Sequence, residues 1–476
     1  MSDIIINFLW RLAERTGAQI VSFLVSIILA RIIAPSDYGI IAIINVLLSF
    51  LQVFVDSGLG TALIQKREAD QLDYSTVFIA NILICIVTYI LLFFEAPFLE
   101  IFFGIEDLAL YFRVSGLGLL IAGLKNILQA YISKHMQFKK FFFATLFGTI
   151  VSAIVGVTMA INGMGIWALI SQSLINTFID TLVLWIVVKW RPSCQFSISR
   201  LGELFSFGWK VLVSALVITA YENIHSMVIG KKYSYEDLAY YDRGKRFPDI
   251  IIGNVNSSLD SVMFPAMSGN QSIESLRKLT QKSIRIATYV IAPMMIGMAA
   301  VGDTLISLLL TDRWLSAVPY LRIVCLTYIF YPLLTANQNA VKSLGLGRDY
   351  LKATIIKITA SFICLIISMQ FGVMAIALSL FASTFFSMII TSYPVSKKLE
   401  YNLVKQMTDI SHILVLGLVM GIITWGIAMT GFPKVIMLFI QIGTGVLIYI
   451  TGSKLFRFAE YDYIKNNIKK LLKFQS

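Results

Sequence analysis

STVFIANILICIVTYILLFFE, residues 75–95, carries no charge before Glu95. About twenty residues at 1.5 Å each reach ~30 Å, the thickness of a bilayer's hydrocarbon core. A run this long and this apolar reads as a membrane-crossing helix. It is not alone. By the same test the chain holds about fourteen such spans: 8–33, 37–60, 75–95, 107–132, 141–161, 164–188, 203–230, 244–268, 282–301, 316–341, 350–370, 372–394, 409–430 and 434–455. The first, seventh and eighth are the least apolar. No connecting loop exceeds about 20 residues, so no extramembrane catalytic domain fits.

The composition agrees. Of 476 residues, 57% are hydrophobic and 14% charged, with a mean hydropathy of +0.79. A water-soluble chain of this length needs far more polar surface. The net charge of +12 does not point to nucleic acid, because the basic residues are spread over many short loops. Cys85, Cys194, Cys325 and Cys364 are far apart and form no C-x-x-C pair, so neither a disulfide framework nor a metal site is implied. The first apolar run lacks the basic region and cleavage site of a signal peptide and is expected to be retained.

Lys and Arg set the orientation. Basic loops (Lys66–Arg67; Lys134, Lys139, Lys140; Lys189, Arg191, Arg200; Arg277, Lys278, Lys282; Lys342, Arg348; Lys397, Lys398, Lys405) alternate with loops that are acidic or nearly bare. That pattern places both termini in the cytoplasm; Lys231 and Lys232 break it. The tail 457–476 has Phe458, Tyr461, Ile464, Ile468, Leu471 and Leu472 at helical spacing with lysines between. It reads as a basic amphipathic helix on an anionic leaflet.

The chain also repeats. A shift of 209 positions brings Tyr111 onto Tyr320, Arg113 onto Arg322, Gln129 onto Gln338, Ser152 onto Ser361, Gly163 onto Gly372 and Lys189 onto Lys398. A shift of 200 brings Arg31 and Asp37 onto Lys231 and Asp237. The period is six spans, an even number, so the two units run parallel. The expected architecture is all-α and integral to the membrane. It has an N-lobe (1–200, spans one to six), a C-lobe (201–400, spans seven to twelve), a central cavity, two appended spans (401–456) and the cytoplasmic tail (457–476).

Charge inside a span is the functional clue. At the bilayer centre it costs at least ~2.5 kcal/mol, so such residues face water or a partner. In the first span Arg11, Arg15, Gln19, Ser22 and Ser26 form one polar stripe. The fourth adds Arg113 and Lys125, and the seventh carries Lys210, Tyr221, Glu222 and His225. In the eighth, Arg246, Asp249, Gly253, Asn256 and Asp260 recur on one helical face. Asp56 and Asp180 read as isolated acids. Arginine pairs bidentately with phosphate and lysine binds it as a point charge. A mostly cationic interior therefore suits an anionic head. Arg11, Arg15, Lys125, Lys210, Arg246 and Asn256 are the candidate binding residues; Glu222, His225, Asp249 and Asp260 are candidates for ion coupling. Ion pairs and hydrogen bonds between helices, such as Glu222 with His225 or Arg246 with Asp249, are the structural alternative.

Two stretches carry a resemblance. LARIIAPSDYGIIAI (29–43) with DSGLGTALIQK (56–66), and GWKVLVSALVITAYENIHSMVIGKKYSYEDLAYYDRGKRFPDIIIGNVNSSLDSVMFPAMS (208–268), resemble the polysaccharide transporter family. These are the Wzx-type flippases for O-antigen, colanic acid, teichuronic acid and exopolysaccharide units, within the multidrug/oligosaccharidyl-lipid/polysaccharide exporter superfamily. The resemblance implies a non-enzymatic flippase without a cofactor. Its cargo would be an undecaprenyl-pyrophosphate-linked oligosaccharide, moved from the cytoplasmic to the outer leaflet of the bacterial inner membrane by alternating access. It implies membrane lipids, a glycan polymerase and a chain-length regulator as partners, and no nucleic acid. The family's cationic cavity residues carry over by position to Arg11, Arg15, Lys125 and Arg246. Asp37, Gly39, Asp56 and Gly58 read as helix ends and turns. A lipid II flippase, a drug or cation exporter of the same superfamily and a membrane glycan polymerase are the rival readings. The last lacks the large outer loop such enzymes need.

Overall fold

The computed structural model describes residues 2–56, 58–66, 68–269 and 272–473; the side chains of 2–16, 207, 256–262, 264, 265 and 467–473 lie outside the description. The described residues are mostly helical and include no strand. In order the helices are α1 (Ser2–Ile32), α2 (Pro35–Asp56), α3 (Leu59–Gln65), α4 (Gln71–Phe103), α5 (Leu108–Lys134), α6 (Phe138–Ile161), α7 (Ile166–Val187), α8 (Ile198–Lys232), α9 (Tyr235–Ser268), α10 (Ile273–Ala300), α11 (Gly302–Leu310), α12 (Val318–Tyr328), α13 (Tyr331–Ser343), α14 (Gly347–Ser368), α15 (Val373–Leu399), α16 (Leu403–Ile427), α17 (Lys434–Leu455) and α18 (Ala459–Lys473).

Each of the fourteen expected spans falls on one of these helices, except 37–60, which runs past α2 into α3, and 316–341, which falls on the pair α12 and α13. Among the described residues, twelve segments are long and apolar enough to cross a membrane. The two that fall short are the first and the eighth. The described apolar part of the first is only Gly17–Ile32. Helix α9 carries seven charged residues between Glu236 and Asp249. The break in the tenth span has a covalent cause. Pro332 sits in the first turn of α13 and has no N–H to give the Tyr328 carbonyl, so the helix ends and restarts. Helix α4 is 33 residues long, about 50 Å, and overruns the hydrocarbon at its ends. Its side chains are inside-out relative to a soluble helix: Phe94 is 75% and Ile101 81% exposed, which only a lipid solvent tolerates on this scale.

Side-chain caps begin several helices. Asp70 and Asp73 form a reciprocal capping box at the start of α4, while Ser197, Ser272 and Asn402 accept backbone N–H groups at the starts of α8, α10 and α16.

The chain divides into two compact units, Met1–Ala239 and Tyr240–Ser476. The division falls after the 200/201 boundary expected from the repeat, because α8 is tied to the first unit at both ends. Near its start Glu203 and Arg200 pair with Lys66 and Asp73. Near its end Gly230 lies against Ile43, and Lys231 donates to the Phe102 carbonyl with its ammonium 4.0 Å from that ring's centre. Each unit has its own apolar core. The first is built on Leu63, Tyr74, Leu128, Ile132 and Leu184, the second on Ile284, Leu333, Met388, Val395 and Ile410.

Residues matched by the repeat play matching parts. Arg113 Nε donates to the Phe93 carbonyl at 3.1 Å, and Arg322 Nε to the Ala299 carbonyl at 3.2 Å. In both units the arginine thus ties its helix to the end of the preceding span. Gly163 and Gly372 both have positive φ, 77° and 104°, at the turn between equivalent helix pairs. The expected tail is also helical, as α18, yet its first turn is docked. Glu460 is 3% exposed and accepts from Arg285 of α10, with His412 Nε2 of α16 at 3.6 Å.

Gly39 is required by a close approach. A Cβ there would lie 1.8 Å from the Tyr235 backbone oxygen, which no rotamer change can relieve. Gly39→Ala is expected to prise α2 from the start of α9 and destabilise the protein by about 1–3 kcal/mol. The thermal midpoint of the purified variant checks this; an unchanged midpoint rules the contact out as a constraint.

Candidate functional site

The polar interior of the first unit is built on α5. Lys125 Nζ lies 3.0 Å from Asp180 Oδ2 of α7, with the two side chains 18% and 9% exposed. Asp180 was expected to stand alone; the fold supplies its partner, since α5 and α7 pack together and Trp185 Nε1 donates to the Leu124 carbonyl beside it. Asp180 Oδ1 is buried and makes no hydrogen bond. Gly148 lets α6 come in from the other side, to where a Cβ would be 3.2 Å from the Asp180 nitrogen.

One residue along, Asn126 Nδ2 donates to Asp56 Oδ1 at 3.1 Å, and Gln52 Nε2 donates to the same oxygen at 3.0 Å. So Asp56 is not isolated either. With Asn81, Asn126, Gln129 and Ser133 it lines a polar cavity of 320 Å³. The sequence carries a signal for this cavity in its uncharged polar residues: Asn126, Gln129 and Ser133 recur at i, i+3 and i+7 on a spanning helix.

The other candidates on the first unit sit on α8. Lys210 is exposed, and its carbonyl accepts from Ser214. Glu222 is exposed and His225 is 4% exposed. In the second unit Arg246 is exposed and Asp249 is partly buried. Asp249 accepts a hydrogen bond from the Tyr328 hydroxyl, and the Tyr328 ring packs edge-on against Tyr331 with centres 4.6 Å apart. The structure thus gives Asp249 a phenol at the α12 break as its partner. Arg11, Arg15, Asn256 and Asp260 lie on α1 and α9, with side chains outside the described residues.

A second kind of surface lies between α10, α16 and α17. Met294, Gly297, Val301, Met420, Ile442 and Val446 are among the residues lining an apolar cleft of 390 Å³. Among the described residues no group of His, Cys, Asp or Glu has the arrangement of a metal site.

At the end of the first unit that bears the basic loops, charges are tied together. Asp73 is fully buried and lies 3.0 Å from Lys66 and 3.3 Å from Arg200; Lys66 also reaches Glu203 at 3.3 Å. Burial alone would depress the Lys66 ammonium, but its hydrogen bonds to Asp73 and Glu203 carry it above the ordinary lysine value. The Asp73 backbone N–H and the Arg200 charge hold the Asp70 carboxyl below its usual range.

A family model described as polysaccharide biosynthesis protein matches residues 28–319, more than half of the sequence. The chain belongs to that family. Membership agrees with the resemblance carried by residues 29–43, 56–66 and 208–268. The teichuronic acid biosynthesis protein TuaB of Bacillus subtilis is 26% identical over 300 residues, 62% of this chain and 62% of its own length. The succinoglycan biosynthesis transport protein ExoT of Rhizobium meliloti is 25% identical over 324 residues, 67% of this chain and 65% of its own. The chain therefore spans a little under two thirds of the length of these relatives. Among solved structures, the lipid II flippase MurJ in an inward closed conformation matches with a TM-score of 0.76 and 16% identity, over 94% of this chain and 99% of that one. A multidrug resistance MATE family transporter, inward-facing, matches with a TM-score of 0.60 and 12% identity, over 85% and 98%. At such identities the likeness is one of fold.

Proposed function

We propose that the chain is a flippase. Its cargo is an oligosaccharide repeat unit linked through diphosphate to undecaprenol, carried from the cytoplasmic to the outer leaflet of the bacterial inner membrane by alternating access. One observation carries the reading: the family match over residues 28–319 falls on a chain made almost wholly of spanning helices. Glycan assembly on a lipid needs a step that crosses the bilayer, and a chain of spanning helices is suited to that step.

The division of labour follows from the cargo's three parts. Cations of the spans (Arg11, Arg15, Lys125, Lys210 and Arg246) hold the diphosphate, and Asn256 joins them toward the sugar. The polyprenyl tail stays in hydrocarbon along the apolar cleft of α10, α16 and α17, whose lining suits an isoprenoid. Glu222, His225, Asp249 and Asp260 are the groups through which a cation would couple. Both termini are cytoplasmic. An anion leaving a cell negative inside gains ~2.3 kcal/mol per charge per 100 mV, so the potential favours export beside any cation coupling.

Arg15→Gln with Arg246→Gln is expected to abolish export. Surface glycan in a host that depends on the gene should fall to the level of a deletion, while the protein remains inserted and monodisperse. Normal surface glycan in that variant overturns the cationic-site reading. Drug resistance that follows the gene, with glycan unchanged, overturns the cargo.

A further inference from the structure

We propose that the cleft between α14 and α15 is a binding site for an anionic glycerophospholipid of the leaflet next to the basic loops. The cleft has a volume of 690 Å³, within the usual range for small-molecule sites. Lys352 lies near the start of α14, and Lys397 and Lys398 in the last turn of α15. The two helices run in opposite directions, so the three ammoniums meet at one mouth. Asp349 is the one acid lining it, leaving three positive charges against one negative.

That imbalance sets the mouth apart from the other charged clusters. Lys66, Arg200, Arg285, Arg322 and Lys434 each have a carboxylate partner. Among the described residues Lys352, Lys397 and Lys398 have none. Three like charges converging on a single acid still repel one another, and a phosphate relieves them.

Depth distinguishes a lipid from a free anion. Tyr393 and Ile389 precede Lys397 by four and eight residues, on one face of α15, and Ile356 follows Lys352 by four on α14; all line the cleft. Eight residues of helix are about 12 Å. Below the cations the walls are therefore apolar, to the depth at which acyl chains begin. Ile389 and Ile356 are 45% and 53% exposed and Tyr393 69%. A phosphate at the mouth with a chain along these side chains satisfies both ends. A soluble phosphate leaves the apolar floor bare. This rests on the membrane-spanning fold and not on the cargo, so a failed flippase reading leaves it standing.

The test is lipid binding to the purified full chain in a neutral detergent, followed by native mass spectrometry. Phosphatidylglycerol is expected to bind the unsubstituted protein and to bind Lys352→Gln/Lys397→Gln/Lys398→Gln at least about 10-fold more weakly. The matching Lys→Arg triple variant should retain binding, and phosphatidylethanolamine should not distinguish the three proteins. Equal phosphatidylglycerol binding by the first two overturns the proposal. So does its displacement by millimolar inorganic phosphate, which marks a free-anion site, or by undecaprenyl diphosphate at equimolar amounts, which marks a cargo site. If the Gln triple variant fails to fold, the three single Gln variants are read in the same way.

Discussion

Replacing Asp73 with alanine is expected to cost the fold about 3 kcal/mol or more, because it breaks a buried charge cluster from its centre. Asp73 is 0% exposed, and Lys66 and Arg200 both end on it. Its Oδ2 also accepts the Asp70 N–H at 3.2 Å, closing the cap of α4. Lys66 and Arg200 are 18% and 37% exposed and regain some water when the acid is lost, which puts the loss near the lower end of the range for buried pairs. The consequence reaches beyond the loop, since this cluster holds the start of α8 to α3 and α4. The thermal midpoint of the purified variant should fall by several degrees; an unchanged midpoint removes the cluster from what holds α8. Acid acts on the same place. The lowered Asp70 carboxyl stabilises the fold above the unfolded carboxyl value, about 3.9, and that share is lost as pH falls through the lowered folded value. The raised Lys66 works at the other end: its share is present below about 10.4 and is lost as pH rises through the raised folded value.

How legible this protein is depends on the scale of the question. The spans are readable because the bilayer imposes one length and one polarity on every crossing, as in 75–95. The weak ones are readable too: α1 and α9 stand out by charge in the sequence, and the described part of α9 carries that charge between Glu236 and Asp249. The repeat is legible because Arg113 and Arg322 repeat a contact, an arginine tied back to the preceding span, that needs the same residue in the same register. Contacts between helices are not legible in this way. Lys125 and Asp180 are 55 positions apart, and nothing in either helix states how far each is rotated toward the other. The loop charges Lys66 and Arg200 show the same limit. Their distribution tells which side of the membrane they face, while their common partner Asp73 depends on where α8 starts. The break before α13 was open to inspection at Pro332, but apolar residues on both sides let 316–341 pass as one span.

Neutralising either member of the Lys125–Asp180 pair alone is expected to destabilise the first unit by about 3–5 kcal/mol, and neutralising both to restore most of that loss. Lys125→Met leaves Asp180 with neither oxygen satisfied, since Oδ1 has no hydrogen bond as it stands. Asp180→Leu leaves an ammonium 18% exposed without its carboxylate. In Lys125→Met/Asp180→Leu no charge remains to be buried, and side chains of similar volume fill the space between α5 and α7. Export separates the two roles of the lysine. As a cargo cation, Lys125 must leave Asp180 for the diphosphate, and the larger charge of the newcomer has to offset the carboxylate left behind. The double variant is therefore expected to regain its thermal midpoint and still fail to deliver surface glycan. If it regains both, the pair is only a strut between helices and Lys125 drops out of the proposed site.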